Sequence, residues 1–173
     1  MQKQNELRWR IAREIPHLRR YAFSLLRSED DADDLVQDCL ERALRKRHLW
    51  RNYGSVRSWL FRILYHVFIN QRVRLQRRGT AVSLEDTGDV RADPPRQEVH
   101  MACVDTVSAL EKLPAEQRAA ILLIALEGLP YDEAAYVLDI PVGTLRSRLS
   151  RGREALRRMG AGTSRQQVLR RVK

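Results

Sequence analysis

A chain of 173 residues, 43% apolar and 31% charged, can bury a core and forms one ordinary domain or two small ones. Its 32 basic against 22 acidic side chains leave a net charge of +10, carried mostly by arginine, and such an excess favours a polyanionic partner, nucleic acid above all. The two cysteines, Cys39 and Cys103, make no metal or CxxC spacing, and neither a signal-peptide core nor a membrane-length apolar run is present, so a cytoplasmic protein without cofactor, metal site or membrane segment is expected.

From Glu6 to Leu26 apolar residues recur at helical spacing (Leu7, Ile11, Ile15, Leu18, Ala22, Leu25). Pro16 predicts a break, with a short N-terminal helix before it and a second helix from Pro16 to Leu26. Ser28 or Asp30 can then cap a helix whose first turn is acidic, as the helix dipole favours. Ala32, Leu35, Val36, Cys39, Leu40, Ala43 and Leu44 make its buried stripe. The opposite face carries Asp33, Asp34, Gln37, Asp38 and Glu41, and no cation until Arg42. In a chain of this charge an acidic face has three readings: a solvated surface, a carboxylate metal site, or a docking surface for a basic protein partner.

Leu49 to Gly54 reads as a loop, and Ser55 as the N-cap of a helix running to about Arg78. Val56, Trp59, Leu60, Ile63, Leu64, Val67 and Phe68 form its apolar side. Arg62, Tyr65, His66, Asn70 and Arg74 are interleaved around it, ahead of a basic end. Aromatic side chains beside arginines and amides can hold unstacked bases. Trp59, Phe61 and Phe68 read as core, whereas Trp50, Tyr53 and His66 are the better candidates for nucleic acid. Gly79 to Gln97, with Pro94-Pro95, reads as a linker between two domains.

A helix lined by Val99, Cys103, Val107 and Leu110 is predicted next, then a strongly apolar one from Ala115 to Leu126 that Gly128 ends. Tyr131 to Leu138, the turn Asp139-Ile140-Pro141, and a helix from Val142 to Met159 spell a helix-turn-helix, whose second helix enters the DNA major groove. On that helix Leu145, Leu149, Gly152 and Leu156 pack inward. Arg146, Ser147, Ser150 and Arg151 face outward and suit base contacts, while Thr144 and Arg148 suit phosphate. After Gly160 a short basic tail, residues 161–173, is expected to fray.

Three stretches together resemble the extracytoplasmic-function (ECF) group of the bacterial sigma-70 family. They are DADDLVQDCLERAL (Asp31–Leu44), RSWLFRILYHVFIN (Arg57–Asn70) and LPYDEAAYVLDIPVGTLRSRLSRGREALR (Leu129–Arg157). The resemblance covers about His17 to Arg158. It implies an all-α protein with a region 2-like domain (residues 1–78), a linker (79–97), and a region 4-like helix-turn-helix domain (98–160).

It further implies that Asp34, Leu35, Gln37, Asp38 and Glu41 bind the β′ coiled coil of core RNA polymerase. Trp50, Asn52, Tyr53, Arg62, His66, Asn70 and Arg74 would read and melt the −10 promoter DNA, and Thr144, Arg146, Ser147, Arg148, Ser150 and Arg151 would read the −35 element. An anti-sigma factor acting in trans and no catalytic residue are implied as well. His66, Asp139 and Gly152 stand where the family often has asparagine, glycine and alanine. Read from residues alone, the chain also fits a conventional helix-turn-helix regulator or, through its acids, a metal-dependent nucleic-acid enzyme.

Overall fold

The computed structural model describes the backbone of residues 2–46, 55–77 and 108–171, and the side chains of residues 6–46, 55–77 and 108–160. Every regular element among them is helical. The predicted loop at Trp50, Asn52 and Tyr53, the linker, and the helix start at Val99 and Cys103 lie outside the described residues.

Helix α1 spans Gln2–Leu26 without interruption. The break expected at Pro16 does not occur. Ile11 on one side of the proline, and Leu18, Tyr21, Ala22 and Leu25 on the other, all enter the same core. The proline ring projects outward, and burial on both flanks outweighs a penalty of roughly 3 kcal/mol. Arg27 then turns the chain with φ +62°, its guanidinium held by Glu111 at 2.7 Å.

Helix α2, Glu29–Arg45, starts at Ser28, whose hydroxyl accepts the Asp31 amide at 3.3 Å. Helix α3 spans Val56–Arg77, and the Ser55 hydroxyl accepts the amide of Ser58 at 3.1 Å. The three helices bury Leu18, Tyr21, Leu35, Cys39, Leu60, Phe61, Leu64 and Phe68 among them. The Cys39 thiol donates to the Leu60 carbonyl, and burial pushes its pKa up to about 12.

Residues 108–111 are helical and lead to Pro114 and helix α4, Ala115–Ile121. The apolar stretch that the sequence reads as one helix to Leu126 changes character: Leu122–Leu126 is a π-helical turn. There the Glu127 amide bonds the Leu122 carbonyl, five residues back, so an extra residue enters the last turn. Gly128, at φ +64°, ends the segment as expected. Helix α5, Tyr131–Leu138, ends at Asp139 in the left-handed conformation (φ 57°, ψ 46°). An aspartate tolerates this conformation better than most residues do.

Helix α6 runs Val142–Arg171, so the backbone of the expected frayed tail continues as helix. Leu145, Leu149 and Gly152 are buried against α4. Gly152 sits at a close contact between α6 and α4, so packing is set against its helix penalty. A Cβ there would lie 2.7 Å from Ile121 Cδ1 and 3.4 Å from Gln117 Cβ. The two groups of helices also pack on each other: α5 lies along α3, and the Tyr21 hydroxyl of α1 donates to the Ala119 carbonyl of α4.

Candidate nucleic-acid interface

Helix α6 presents one arginine face to solvent. Arg146, Ser147, Ser150 and Arg151 are exposed, as their one-turn spacing opposite Leu145 and Leu149 dictates. Ser147 donates to the Thr144 carbonyl at 2.9 Å, and Arg151 reaches back to the Ser147 carbonyl and hydroxyl at 3.3 Å each. These contacts pre-orient Arg151 along the helix. Thr144 is half-buried at the first turn.

Arg148 points elsewhere. Its side chain is 17% exposed and pairs with Glu116 of α4 at 2.7 Å, close to Tyr65 of α3. Between α5 and α6 lies a groove of about 730 Å³, with Tyr131, Leu149 and Leu156 in its walls and Arg146, Arg153 and Arg157 around them. Sequence reading missed Arg153 and Arg157. Both follow Arg146 on the same side of the helix at spacings of seven and eleven, which was the available signal.

The acidic face of α2 keeps its predicted character with one correction. Asp34, Gln37 and Glu41 are exposed, and Asp38 is half-buried, with the Gln71 amide on its carboxylate at 3.3 Å. Glu41 pairs along the helix with Arg45 at 3.0 Å. Leu35 is 0% exposed and belongs to the core, so it supports the face and touches no partner. Its place in the apolar stripe already carried that information. No group of His, Cys, Asp or Glu side chains that could hold a metal ion is found among the described residues.

Arg62, His66 and Asn70 follow one another at i, i+4 and i+8 on α3 and share a cleft of about 370 Å³. Arg42 and Lys46 from the end of α2, with Trp59 and Ile63, complete its walls. Trp59, read from sequence as core, is half-exposed here. Tyr136 of α5 stands at the edge of the same cleft. Arg74 lies further along α3, exposed and outside the cleft. Both Arg62 terminal nitrogens are engaged across the cleft, one by the Tyr136 carbonyl and the other by Asp139 at 2.7 Å, with the guanidinium 4.5 Å from the Tyr136 ring centre.

Sequence reading gave Glu127 no role. Its side chain is 0% exposed. One carboxylate oxygen accepts Arg20 at 2.9 Å; the other meets Arg57 at 2.7 Å and the His17 ring at 3.2 Å. Bonding to Glu127 raises the pKa of Arg20. The only signal was a single acid ending an otherwise apolar run, ILLIALEG.

Two family models match the chain: "Sigma2 domain of PhyR" at residues 11–65 and "Sigma-70, region 4" at residues 105–156. The chain is 35% identical over 152 residues to the ECF RNA polymerase sigma factor EcfG of Rhodopseudomonas palustris, covering 88% of this chain and 83% of that protein. Among solved structures it resembles the sigma factor RpoE of Bartonella quintana, crystallised with the anti-sigma factor NepR. That likeness has a TM-score of 0.74 and 34% identity, and covers 89% of this chain and 96% of the other. It also resembles CnrH in complex with the cytosolic domain of CnrY, with a TM-score of 0.66, 27% identity, and coverage of 92% and 90%.

Proposed function

The chain belongs to the ECF group of RNA polymerase sigma factors, and we propose that it divides promoter recognition among three separate faces. The polar face of α2, with exposed Asp34, Gln37 and Glu41 and half-buried Asp38, docks on the β′ coiled coil of core polymerase. The α3 cleft with Arg62, His66 and Asn70, together with Arg74, meets the −10 DNA. The outward side of α6 (Arg146, Ser147, Ser150, Arg151) reads the −35 element in the major groove, with Thr144 at its N-terminal turn beside phosphate. The protein works in the cytoplasm and has no catalytic chemistry of its own.

The observation that carries this reading is the segregation of charge. The carboxylates of α2 and the arginines of α6 stand on different elements and are both solvent-exposed. A single surface bearing both would repel DNA phosphate with the charges that attract a basic protein partner. An isolated helix-turn-helix regulator has no use for such an acidic docking face.

Relatives solved with anti-sigma factors support regulation by an anti-sigma factor in trans. The test is in vitro transcription with core polymerase and promoter fragments of the parent genome. Promoter-dependent transcripts that require both core and this chain are expected. No transcript from any fragment, with no co-purification with core, overturns the reading.

A further inference from the structure

We infer that the N-terminal half of α1 is a further single-strand DNA contact, in which Trp9 stacks on an unpaired base flanking the −10 element while Arg8 and Arg13 hold the adjoining phosphates. The inference deepens the sigma-factor reading above and rests on it.

Trp9 is 73% exposed, although tryptophan is normally among the most covered side chains. Its exposure is fixed by the helix. Ile11 stands almost opposite Trp9 on α1 and is buried, so the packing that anchors this end of the helix turns the indole outward. Arg13 follows Trp9 one turn later on the same face, and Arg8 and Arg10 flank it on either side. All three arginines are exposed. Over residues 6–13 they stand against one acid, Glu6. Neither Arg8 nor Arg13 forms an ion pair among the described residues, whereas Arg19 and Arg20, further along the same helix, are held by Asp33 and Glu127. The arginines of the second half of α1 build the fold, and those of the first half are left for a partner.

The register of α1 against α2 places this face beside the α3 cleft. Arg19 bonds Asp33 across the antiparallel pair at 2.6 and 2.8 Å. Ten residues back along α1 from Arg19 is Trp9, and ten residues on along α2 from Asp33 is Ala43. Trp9 is therefore level with the end of α2 whose Arg42 and Lys46 line the cleft with Arg62, His66 and Asn70. The two surfaces lie within about two helix diameters, roughly 20 Å, so a strand leaving the cleft reaches Trp9 within a few nucleotides.

Charge and ring together choose the occupant. An exposed indole between arginines is a stacking platform on an electropositive track, which suits an unpaired strand and not a duplex, whose bases are already stacked. The basic partner that fits the carboxylates of α2 would be repelled by Arg8, Arg10 and Arg13, and so would a second copy of this face.

The test uses the full-length chain with core polymerase, on a promoter recovered by the transcription assay above and built as a fork with its −10 region unpaired. Abasic sites are introduced one at a time across the −10 element and its flank, and fork affinity is measured at fixed salt. One flanking abasic site should weaken binding by wild type at least about fivefold, and Trp9→Ala should cause the same loss on the intact fork. Trp9→Ala should then be indifferent to that abasic site, and Trp9→Phe should keep most of the wild-type affinity. Loss of folded chain lowers affinity for every fork equally, so coupling to one base position separates stacking from stability. Arg8→Gln with Arg13→Gln should reduce the slope of log affinity against log salt by about 1 to 1.5. Unchanged fork affinity in Trp9→Ala, an equal loss at every abasic position, or a matching loss of core capture without DNA each overturns the inference while leaving the sigma-factor reading in place. If the wild-type chain with core binds no promoter fork, that reading falls, and this inference with it.

Discussion

The guanidinium of Arg62 meets the carboxylate of Asp139 at 2.7 Å across 77 residues of sequence. Asp139 therefore has two tasks: it turns the chain at φ 57° and it holds α3. Substitutions separate them. Asp139→Gly keeps the left-handed turn and loses only a partly exposed ion pair, so unfolding free energy should change by less than about 1 kcal/mol. Asp139→Val loses the pair and strains the turn as well, at a further cost of about 1–2 kcal/mol. Chemical denaturation of both variants measures the difference; equal losses would remove the turn from the account.

Gly152 should resist replacement by alanine even though alanine favours helix by about 1 kcal/mol. The added Cβ would meet Ile121 Cδ1 at 2.7 Å. Overpacking of this kind costs about 1–3 kcal/mol, so Gly152→Ala should be destabilising overall. Ile121→Val removes the clashing methyl. In a double-mutant cycle the pair should recover at least about 0.5 kcal/mol relative to the sum of the single changes. Strict additivity would show that the side chain relaxes freely and that the glycine serves another end.

Asp34 and Leu35 are adjacent in sequence and opposite in role. Asp34→Arg reverses charge on the exposed face and should abolish capture of core polymerase in a pull-down, with the thermal midpoint unchanged. Leu35→Ala empties a fully buried site and should cost about 2–5 kcal/mol in stability. A chain with Leu35→Ala that folds as wild type but fails to bind core would return Leu35 to the docking surface.

These contrasts mark what the sequence makes legible. Apolar periodicity placed α2, α3, α5 and α6, their caps at Ser28 and Ser55, and the exposed rows on α2 and α6, because each is a local pattern with a fixed geometric period. Pro16 misled for a tertiary reason: a core on both sides of it outweighs a local preference. The π-helical turn at Leu122–Leu126 leaves no mark in periodicity, since one extra residue in a stretch apolar all round changes nothing in the pattern. Glu127, Glu133 and the Arg62–Asp139 pair depend on contacts across 70 or more residues, and a single sequence does not encode which distant carboxylate an arginine will choose.

On α6, the outward and inward arginines should behave differently. Arg146→Ala or Arg151→Ala should reduce discrimination among −35 variants by about 1–3 kcal/mol per lost base contact, measured by competition binding at fixed salt. Arg148→Ala should leave that ranking intact and act on stability instead, because its side chain is 17% exposed and turned to Glu116. A change in the sequence preference of Arg148→Ala would show that this side chain swings outward on DNA.

Alkaline pH should weaken the fold through Cys39. Burial raises its thiol from 9.0 to about 12, so the unfolded chain loses this proton first as pH rises. Above about pH 9 the folded state therefore binds more protons than the unfolded state, and stability falls with pH until the folded thiol itself ionises near 12. Tyr21, buried and raised well above 10.0, adds a loss of the same sign. In a Cys103→Ser background, Cys39→Ala should flatten the decline between about pH 9 and 10, where tyrosine contributes least. The parent Cys39 thiol should react with an aromatic disulfide at pH 8 only as fast as the chain opens, since the thiolate is the reactive form. Rapid labelling of the folded protein would place Cys39 outside the core that α2 and α3 close around it.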